Sequence, residues 1–286
     1  MTNTGTALTV DRAVFPSVTG PVTVHSVFAS AANLATGGGL FTLVTASRPA
    51  GPGTAVLDVA SMLELSLEKG RAGELTGDCL RIGDAVIDLA PASRWEPRHI
   101  VGPLEPEAVA VLAHRLEGCG LGDGPQPRDL TASSPFQRAV AAQLASRTSA
   151  FVAAVAAGSP AYAHDAATRL LGLGSGLTPS GDDWLAGFGY VAAAIPGPLE
   201  AALEAIDRAA QPGATVDVAL SVIRHALHGR AIDPLQDLLA ALTRPPGPDI
   251  GAALDRLAEV GHSSGTDMAL GLLAAAQLTI HTQGAQ

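Results

Sequence analysis

The feature that most constrains the fold is a change near residue 104 in the spacing of apolar residues, from a strand-like to a helix-like pattern. Before it, runs such as PVTVHSVFA and LFTLVTA are rich in β-branched residues and partly alternate, as strands do. After it, apolar residues recur at helical spacing, as in EPEAVAVLAHRLEG, which stops at a glycine. The sequence therefore predicts an α+β protein, with a β-rich N-terminal domain (a small barrel or sandwich-like) followed by a larger, mostly α-helical domain.

The same change in pattern predicts three segments. Residues 1–20 are expected to form a mobile tail, residues 21–103 the β-rich domain and residues 104–286 the α-helical domain. Gly83 and Asp84 lie between two apolar runs and suit a tight two-residue hairpin turn. Later helices are predicted near 160–171, 180–194, 199–210, 214–229, 233–242, 249–260 and 264–280.

Composition restricts both the core and the partners. Aromatic residues make up only 3 % of the chain and charged residues 15 %, so the core must consist mostly of alanine, leucine and valine, whose small side chains let helices approach closely. The formal net charge is −10 without a basic stripe, which argues against nucleic acid as a partner. A small anionic substrate stays compatible, because local amides and a few arginines can hold one.

Location is predicted from three further absences. The start, MTNTGTALTVDRAVF, lacks a charged segment followed by an apolar core, so no signal peptide is expected. The most membrane-like run, WLAGFGYVAAAIPGPL, is too short for a span, and we interpret it as a buried helix. The 2 cysteines form no disulfide framework. We expect a cytoplasmic protein that does not bind membranes.

Residues 171–187, LGLGSGLTPSGDDWLAG, combine five glycines with two adjacent aspartates. In a purely structural interpretation, Ser180 and Asp183 form a capping box at a helix start. That interpretation explains neither the glycines nor Asp182. In a functional interpretation, a glycine-rich loop before a helix N-terminus offers backbone amides to an anion.

A second segment, SGTDMALG at 264–271, matches SGDDWLAG at 180–187 in Ser, Gly, Asp and Gly. A glycine inside a helix costs about 1 kcal/mol relative to alanine, so Gly187 and Gly271 suggest that two helices cross closely there. Both helix N-termini would then open onto one cavity. A chance match in a glycine-rich chain is the alternative.

The functional interpretation assigns a set of candidate residues. Asp182, Asp183 and His262 are candidate catalytic groups, because carboxyl and imidazole groups transfer protons. No cofactor is otherwise indicated, but Mg²⁺ held by Asp182 and Asp183 would also reconcile carboxylates with an anion. The candidate anion-binding residues are Gly174, Ser175, Gly176, Thr178, Ser180, Gly181, Ser263, Ser264, Gly265 and Asp267.

A third glycine run, Gly37 to Gly39, precedes the strand-like segment LFTLVT. It either covers a ligand, with Asn33 and Thr36 as polar contributors, or forms a flexible turn.

The run LLGLGSGLTPSGDDWLAGF resembles the signature of a bacterial family. That family, long a domain of unknown function, is associated with the oxamate carbamoyltransferase subunit of purine (allantoin) catabolism and is described as AllH-like. Its Gly-Leu-Gly-x-Gly-Leu-Thr-Pro-Ser-Gly-Asp-Asp block falls on Gly172 to Asp183, with Ser175 where proline is common. The later HSSGTDMALG is also similar to a family feature.

The resemblance implies a subunit of a multi-subunit transferase, and hence an oligomer with other subunits as partners. In that context, carbamoyl-oxamate and phosphate become oxamate and carbamoyl phosphate. Such chemistry requires a bound phosphate, a stabilised carbonyl oxygen and a proton for the leaving nitrogen. The alternatives are a non-catalytic partner subunit, or Mg²⁺-dependent phosphoryl or carboxyl chemistry at the aspartate pair.

Overall fold

The fold is taken from a computed structural model that describes residues 3–14, 19–122, 135–197 and 199–284. It divides into two compact units, Met1–Pro97 and Arg98–Gln286. The predicted boundary at residue 103 therefore lies six residues into the second unit. The α+β class is confirmed, with a barrel followed by a helical unit.

The first unit is an eight-stranded barrel, β1 to β8, with a short ninth strand beside β1. The strand order is β5-β4-β3-β2-β6-β7-β8-β1, and an antiparallel pairing of β1 with β5 closes the barrel. Closure removes exposed strand edges. The strands are β1 Asn3–Asp11, β2 Gly20–Val27, β3 Ala31–Thr36, β4 Gly39–Thr45, β5 Thr54–Leu57, β6 Ala72–Thr76, β7 Cys79–Ile82, β8 Ala85–Asp88 and β9 Ser93–Trp95.

Strand β1 corrects the prediction of a mobile tail at 1–20 for residues 3–11, whereas residues 1, 2 and 15–18 lie outside the described residues. Ala7 and Val10 are fully buried in the barrel core. The strand also pairs with β5, β8 and β9, so the barrel depends on it. The strand was missed because its alternation is carried by alanine, glycine and threonine, which give little apolar contrast.

The hairpin predicted at Gly83 and Asp84 is confirmed. Ile82 pairs directly with Ala85, so β7 and β8 are joined by a two-residue turn. Gly83 has a φ of 58°, a left-handed conformation in which glycine carries no steric penalty.

The second unit contains nine helices within its described residues. The seven later helices coincide with the predicted ones to within a few residues. The bounds are α1 Pro106–Arg115, α2 Pro135–Ala156, α3 Pro160–Leu170, α4 Ser180–Ala194, α5 Glu200–Ala209, α6 Asp217–Leu227, α7 Asp233–Ala241, α8 Pro248–Ala258 and α9 Ser264–Gly284.

The core of this unit consists mainly of alanine and leucine, as expected. Three of its aromatic rings are in contact, with Phe151 of α2 edge-on to both Trp184 and Phe188 of α4. Helix α4 is buried on all sides from Ser180 to Ala192, which confirms that the WLAGFGYVAAA run is a core helix.

Helix α2 differs from α4. By length and composition alone, its segment Arg138–Ala156 could cross a membrane, although a single such helix is weak evidence. This segment has a mean hydropathy of 1.3, and 22 % of it is buried.

Candidate functional site

The candidate site lies where α4 crosses α9. A Cβ atom on Gly187 would lie 2.0 Å from the carbonyl oxygen of Met268, and one on Gly271 would lie 2.0 Å from that of Trp184. Trp184 and Met268 occupy the same place in the two matching segments. The predicted crossing is therefore confirmed, and each helix presents a glycine to the other's backbone.

The match extends to the start of each helix. A Cβ atom on Gly181 would lie 2.1 Å from the carbonyl oxygen of Leu170, and one on Gly265 would lie 1.7 Å from that of Leu257. Leu170 ends α3 and Leu257 lies in the last turn of α8. Only glycine allows α4 and α9 to begin against the helix before them. The two segments therefore occupy equivalent structural positions.

The capping box predicted at Ser180 and Asp183 is wrong. The N-cap of α4 is Pro179, which makes no side-chain hydrogen bond, and Ser180 is already helical. The amides of Asp182 and Asp183 both donate to the Pro179 carbonyl oxygen, at 2.9 and 3.1 Å. Because Pro179 is fixed in φ, it provides the helix start that the serine was expected to provide.

Other amides at the two helix starts are also bonded. The Gly181 amide donates to the carbonyl oxygen of Leu173 at 2.9 Å, and the Gly265 amide donates to that of Val260 at 3.0 Å. The Asp267 amide donates to the carbonyl oxygen of Ser263 at 2.8 Å. Anion binding by these amides would require breaking existing hydrogen bonds. The groups at the crossing that are available for chemistry are therefore its side chains.

Asp182 ties two loops together. Its Oδ1 accepts from the Gly172 amide at 3.0 Å, and its Oδ2 accepts from the Thr215 hydroxyl at 2.5 Å. Burial raises the pKa of Asp182, against the opposing effects of these two bonds. Gly172 begins the glycine-rich loop and Thr215 precedes α6, so both carboxylate oxygens have a structural use.

We expect Thr215→Val to lower the free energy of unfolding by about 2 kcal/mol, because a buried carboxylate loses a charge-assisted hydrogen bond. Thr215→Ser keeps the hydroxyl and should remain close to the unaltered protein. Urea denaturation followed by circular dichroism measures both. Equal stability of the valine and serine variants would contradict this role for the bond.

Asp183 lies at the centre of the crossing and is 1 % exposed. The hydroxyls of Ser264 and Thr178 lie beside its carboxyl group and favour the ionised form. They bond to each other at 2.9 Å, while Asp183 Oδ2 has no hydrogen-bond partner among the described residues. Burial, the carboxylate of Asp267 and that of Asp182 together raise the pKa of Asp183 to about 8, and the two hydroxyls only partly oppose this. Asp183 is therefore mostly protonated at neutral pH.

Asp267 holds the equivalent place in α9 and is fully buried. Its Oδ1 accepts from the Gly122 amide at 2.8 Å. Ser180 is close to the same glycine, because a Cβ atom on Gly122 would lie 3.3 Å from the Ser180 hydroxyl oxygen. We call Thr178, Ser180, Asp183, Ser264 and Asp267 the crossing cluster.

The glycine-rich loop covers the start of α4. Gly174 has a φ of 129°, and a Cβ atom there would lie 2.6 Å from the Ser180 nitrogen, so this close approach needs glycine. Ser175 and Gly176 are exposed. These two residues are the solvent-facing part of the predicted anion-binding set.

The predicted residues from the second loop divide into two groups. Ser264 and Asp267 join the crossing cluster, and Gly265 provides the close approach to α8. His262 is exposed in the turn before α9, and Ser263 is half-buried beside it. Of the residues predicted in this loop, Ser264 therefore lies beside Asp183, while His262 faces solvent.

The carboxylates do not form a metal centre in the described part of the chain. No group of three or more histidine, cysteine or acidic side chains there could hold a metal ion. Both Asp182 oxygens face N–H or O–H donors, which a cation would displace. Mg²⁺ at Asp182 would have to replace both donors, whereas Asp183 Oδ2 has no hydrogen-bond partner among the described residues.

Three contributors to the site were absent from the sequence prediction. Gly172 and Thr215 bond Asp182, and Gly122 bonds Asp267. Gly172 belongs to the segment 171–187, but nothing in the sequence signals that its amide bonds Asp182. Thr215 and Gly122 lie in ordinary loops far along the chain, so only the fold reveals them.

The comparisons with known families cover both units. The AllH family N-terminal domain matches residues 6–94, and the oxamate carbamoyltransferase subunit AllH matches residues 170–276. The second match contains every member of the crossing cluster. No solved structure matches the chain. Since the two matches span more than half of the sequence, the chain belongs to the AllH family, described as a subunit of oxamate carbamoyltransferase.

Proposed function

We propose that this chain works within a multi-subunit, oxamate carbamoyltransferase-like enzyme and that the crossing cluster contacts its small anionic substrate. The observation that carries the proposal is the buried carboxyl of Asp183, whose pKa is raised to about 8 beside Asp267. Surface aspartates ionise near pH 4. A carboxyl that keeps its proton at pH 7 resembles catalytic acids in other enzymes.

Protonation also removes an electrostatic objection. Two ionised aspartates beside a phosphate or carboxylate group would repel it. A neutral Asp183 leaves at most one negative charge on the Asp183–Asp267 pair, and it can donate a hydrogen bond. A neutral Asp183 therefore weakens the repulsion that an anion would meet at the crossing.

The hydroxyls connect the buried acid to its surroundings. Thr178 and Ser264 are half-buried, whereas Asp183 is almost completely enclosed. A proton from Asp183 can reach a bound substrate through either hydroxyl. In the transfer reaction, this proton would go to the leaving nitrogen of the carbamoyl amide or to charge on its carbonyl oxygen. The exposed Ser175 and Gly176 would contact the anion from the loop.

A specific observation favours the alternative of a non-catalytic partner subunit. The close helix contacts at Gly181, Gly187, Gly265 and Gly271 account for much of the matching sequence by packing alone. To distinguish a catalytic subunit from a non-catalytic partner, a substitution must therefore leave the packing of the helices unchanged.

Ser264→Ala provides that separation, since it removes one hydroxyl from the crossing cluster. In an enzyme assembled with its other subunits, we expect carbamoyl transfer between oxamate and phosphate to fall by about 100-fold, as for loss of one proton-transfer partner. Thr282→Val in the same helix is the control, because the Thr282 hydroxyl bonds only helix carbonyl oxygens, at 2.7 and 3.0 Å.

The result decides between the two functions. Full activity of Ser264→Ala in an assembled complex would exclude the crossing cluster from the chemistry and leave the chain as a structural partner. Size-exclusion chromatography would show whether the variant fails to assemble. In that case the experiment is repeated with Ser264→Thr, which keeps a hydroxyl and should restore activity.

A further inference from the structure

A second polar site lies on the barrel, independent of the helix crossing. Ser26, Asn33 and Thr42 are direct cross-strand partners on β2, β3 and β4. Because side chains alternate along a strand, they face away from the core, to which the neighbouring residues Ala32 and Leu34 belong. The three side chains form a polar row across adjacent strands.

The row is a directed chain of hydrogen bonds. The Thr42 hydroxyl donates to Asn33 Oδ1 at 2.8 Å, and Asn33 Nδ2 donates to the Ser26 hydroxyl oxygen at 2.9 Å. Asn33 is only 4 % exposed, so its amide is held in one orientation. The Ser26 oxygen therefore receives a fixed donor from one side.

A β-bulge brings a histidine to the end of this row. The pairing of β2 with β3 shifts register between Val24 and Ser26, which makes His25 the extra residue. Bulges redirect side chains and are frequent beside active sites. His25 Nδ1 lies 3.1 Å from the Ser26 hydroxyl oxygen, and both residues are half-buried and reachable.

We propose that Ser26 is a nucleophile, with His25 as its base and Asn33 as the donor that stabilises charge on the serine oxygen. With the ring proton on Nε2, Nδ1 accepts the Ser26 proton, while Asn33 already donates to the same oxygen. A nucleophile bonded to a base is the arrangement of covalent catalysis.

The substrate class is an activated carbonyl or phosphonyl compound. The Ser26 oxygen forms a bond to the electrophilic carbon or phosphorus, and its proton passes to His25 Nδ1. The bond to the leaving group breaks, and that group departs with the electron pair. With a fluorophosphonate, fluoride leaves, a stable phosphonyl serine remains and His25 releases the proton to water.

A fluorophosphonate probe tests this on the full chain, with the modified peptide identified by mass spectrometry. We expect one main adduct, on Ser26, and its rate of formation should fall about 100-fold in His25→Gln, as for loss of a general base. Ser26→Ala should lose this adduct.

Ser30 is the matched internal control. It is also a half-buried barrel serine, but its hydroxyl oxygen accepts from Arg48 Nε at 3.1 Å instead of facing a histidine. Labelling of Ser26 no faster than that of Ser30 would overturn the proposal without any variant being needed. Equal labelling of the unaltered chain and a folded His25→Gln would overturn the role of His25.

Discussion

Gly271→Ala is expected to lower the free energy of unfolding of the helical unit by about 3 kcal/mol, the upper range for overpacking a core. The added Cβ atom would lie 2.0 Å from the Trp184 carbonyl oxygen, which is backbone and can move only if α4 and α9 separate. Alanine's better helix propensity, worth about 1 kcal/mol, offsets only part of this. Urea denaturation followed by far-ultraviolet circular dichroism measures the loss.

The control is Gly284→Ala in the same helix. A Cβ atom on Gly284 meets no atom within 4 Å, so the substitution should leave stability unchanged or raise it slightly. Gly187→Ala should match Gly271→Ala, because its Cβ atom meets the Met268 carbonyl oxygen at the same distance. If Gly271→Ala were as stable as Gly284→Ala, the close crossing would be disproved.

Asp183→Asn is expected to remove most of the activity of the assembled enzyme, by about 100-fold, and also to change how stability depends on pH. The folded protein holds the Asp183 proton up to a pKa of about 8, whereas an unfolded aspartate releases it near pH 3.9. The free energy of unfolding should therefore fall as pH rises from about 4 to about 8, by at most about 1.4 kcal/mol per unit from this group.

Asparagine cannot release a proton, and its amide retains a donor. The variant should therefore lack this contribution, and its stability should decline less between pH 5 and pH 8 than that of the unaltered protein. Asp255→Asn, at an exposed position of α8, makes the same chemical substitution and should retain the original slope. Identical slopes for all three proteins would show that Asp183 ionises like a surface aspartate.

Local patterns predicted much of the fold. The Gly83–Asp84 hairpin and the later helices follow from turn residues and apolar spacing, which act over a few positions. The Gly187–Gly271 crossing was predictable because a costly residue occurred twice at one offset. Strand β1 was not predicted, since its partners β5 and β8 are distant and its buried face includes glycine and alanine, which give little apolar contrast.

The site was harder to predict, because its chemistry depends on contacts between distant segments. Ser180 and Asp183 match a capping box but do not form one, whereas Ser61 and Glu64 do. Asp182 is predicted to be catalytic, and the two loop contacts that it makes, to Gly172 and Thr215, could not be foreseen from its neighbours in sequence. Asp183 keeps its proton because of burial and Asp267, and neither is visible in the residues beside it.

The closure of the barrel by β1 has a consequence for protein synthesis. Asn3 pairs with Ala85 on β8, so the first strand must remain without this partner while about eighty further residues are made. At 5–20 residues per second, that wait lasts roughly 4 to 16 s. During this interval the nascent chain exposes an unpaired strand edge, which favours aggregation of incomplete chains.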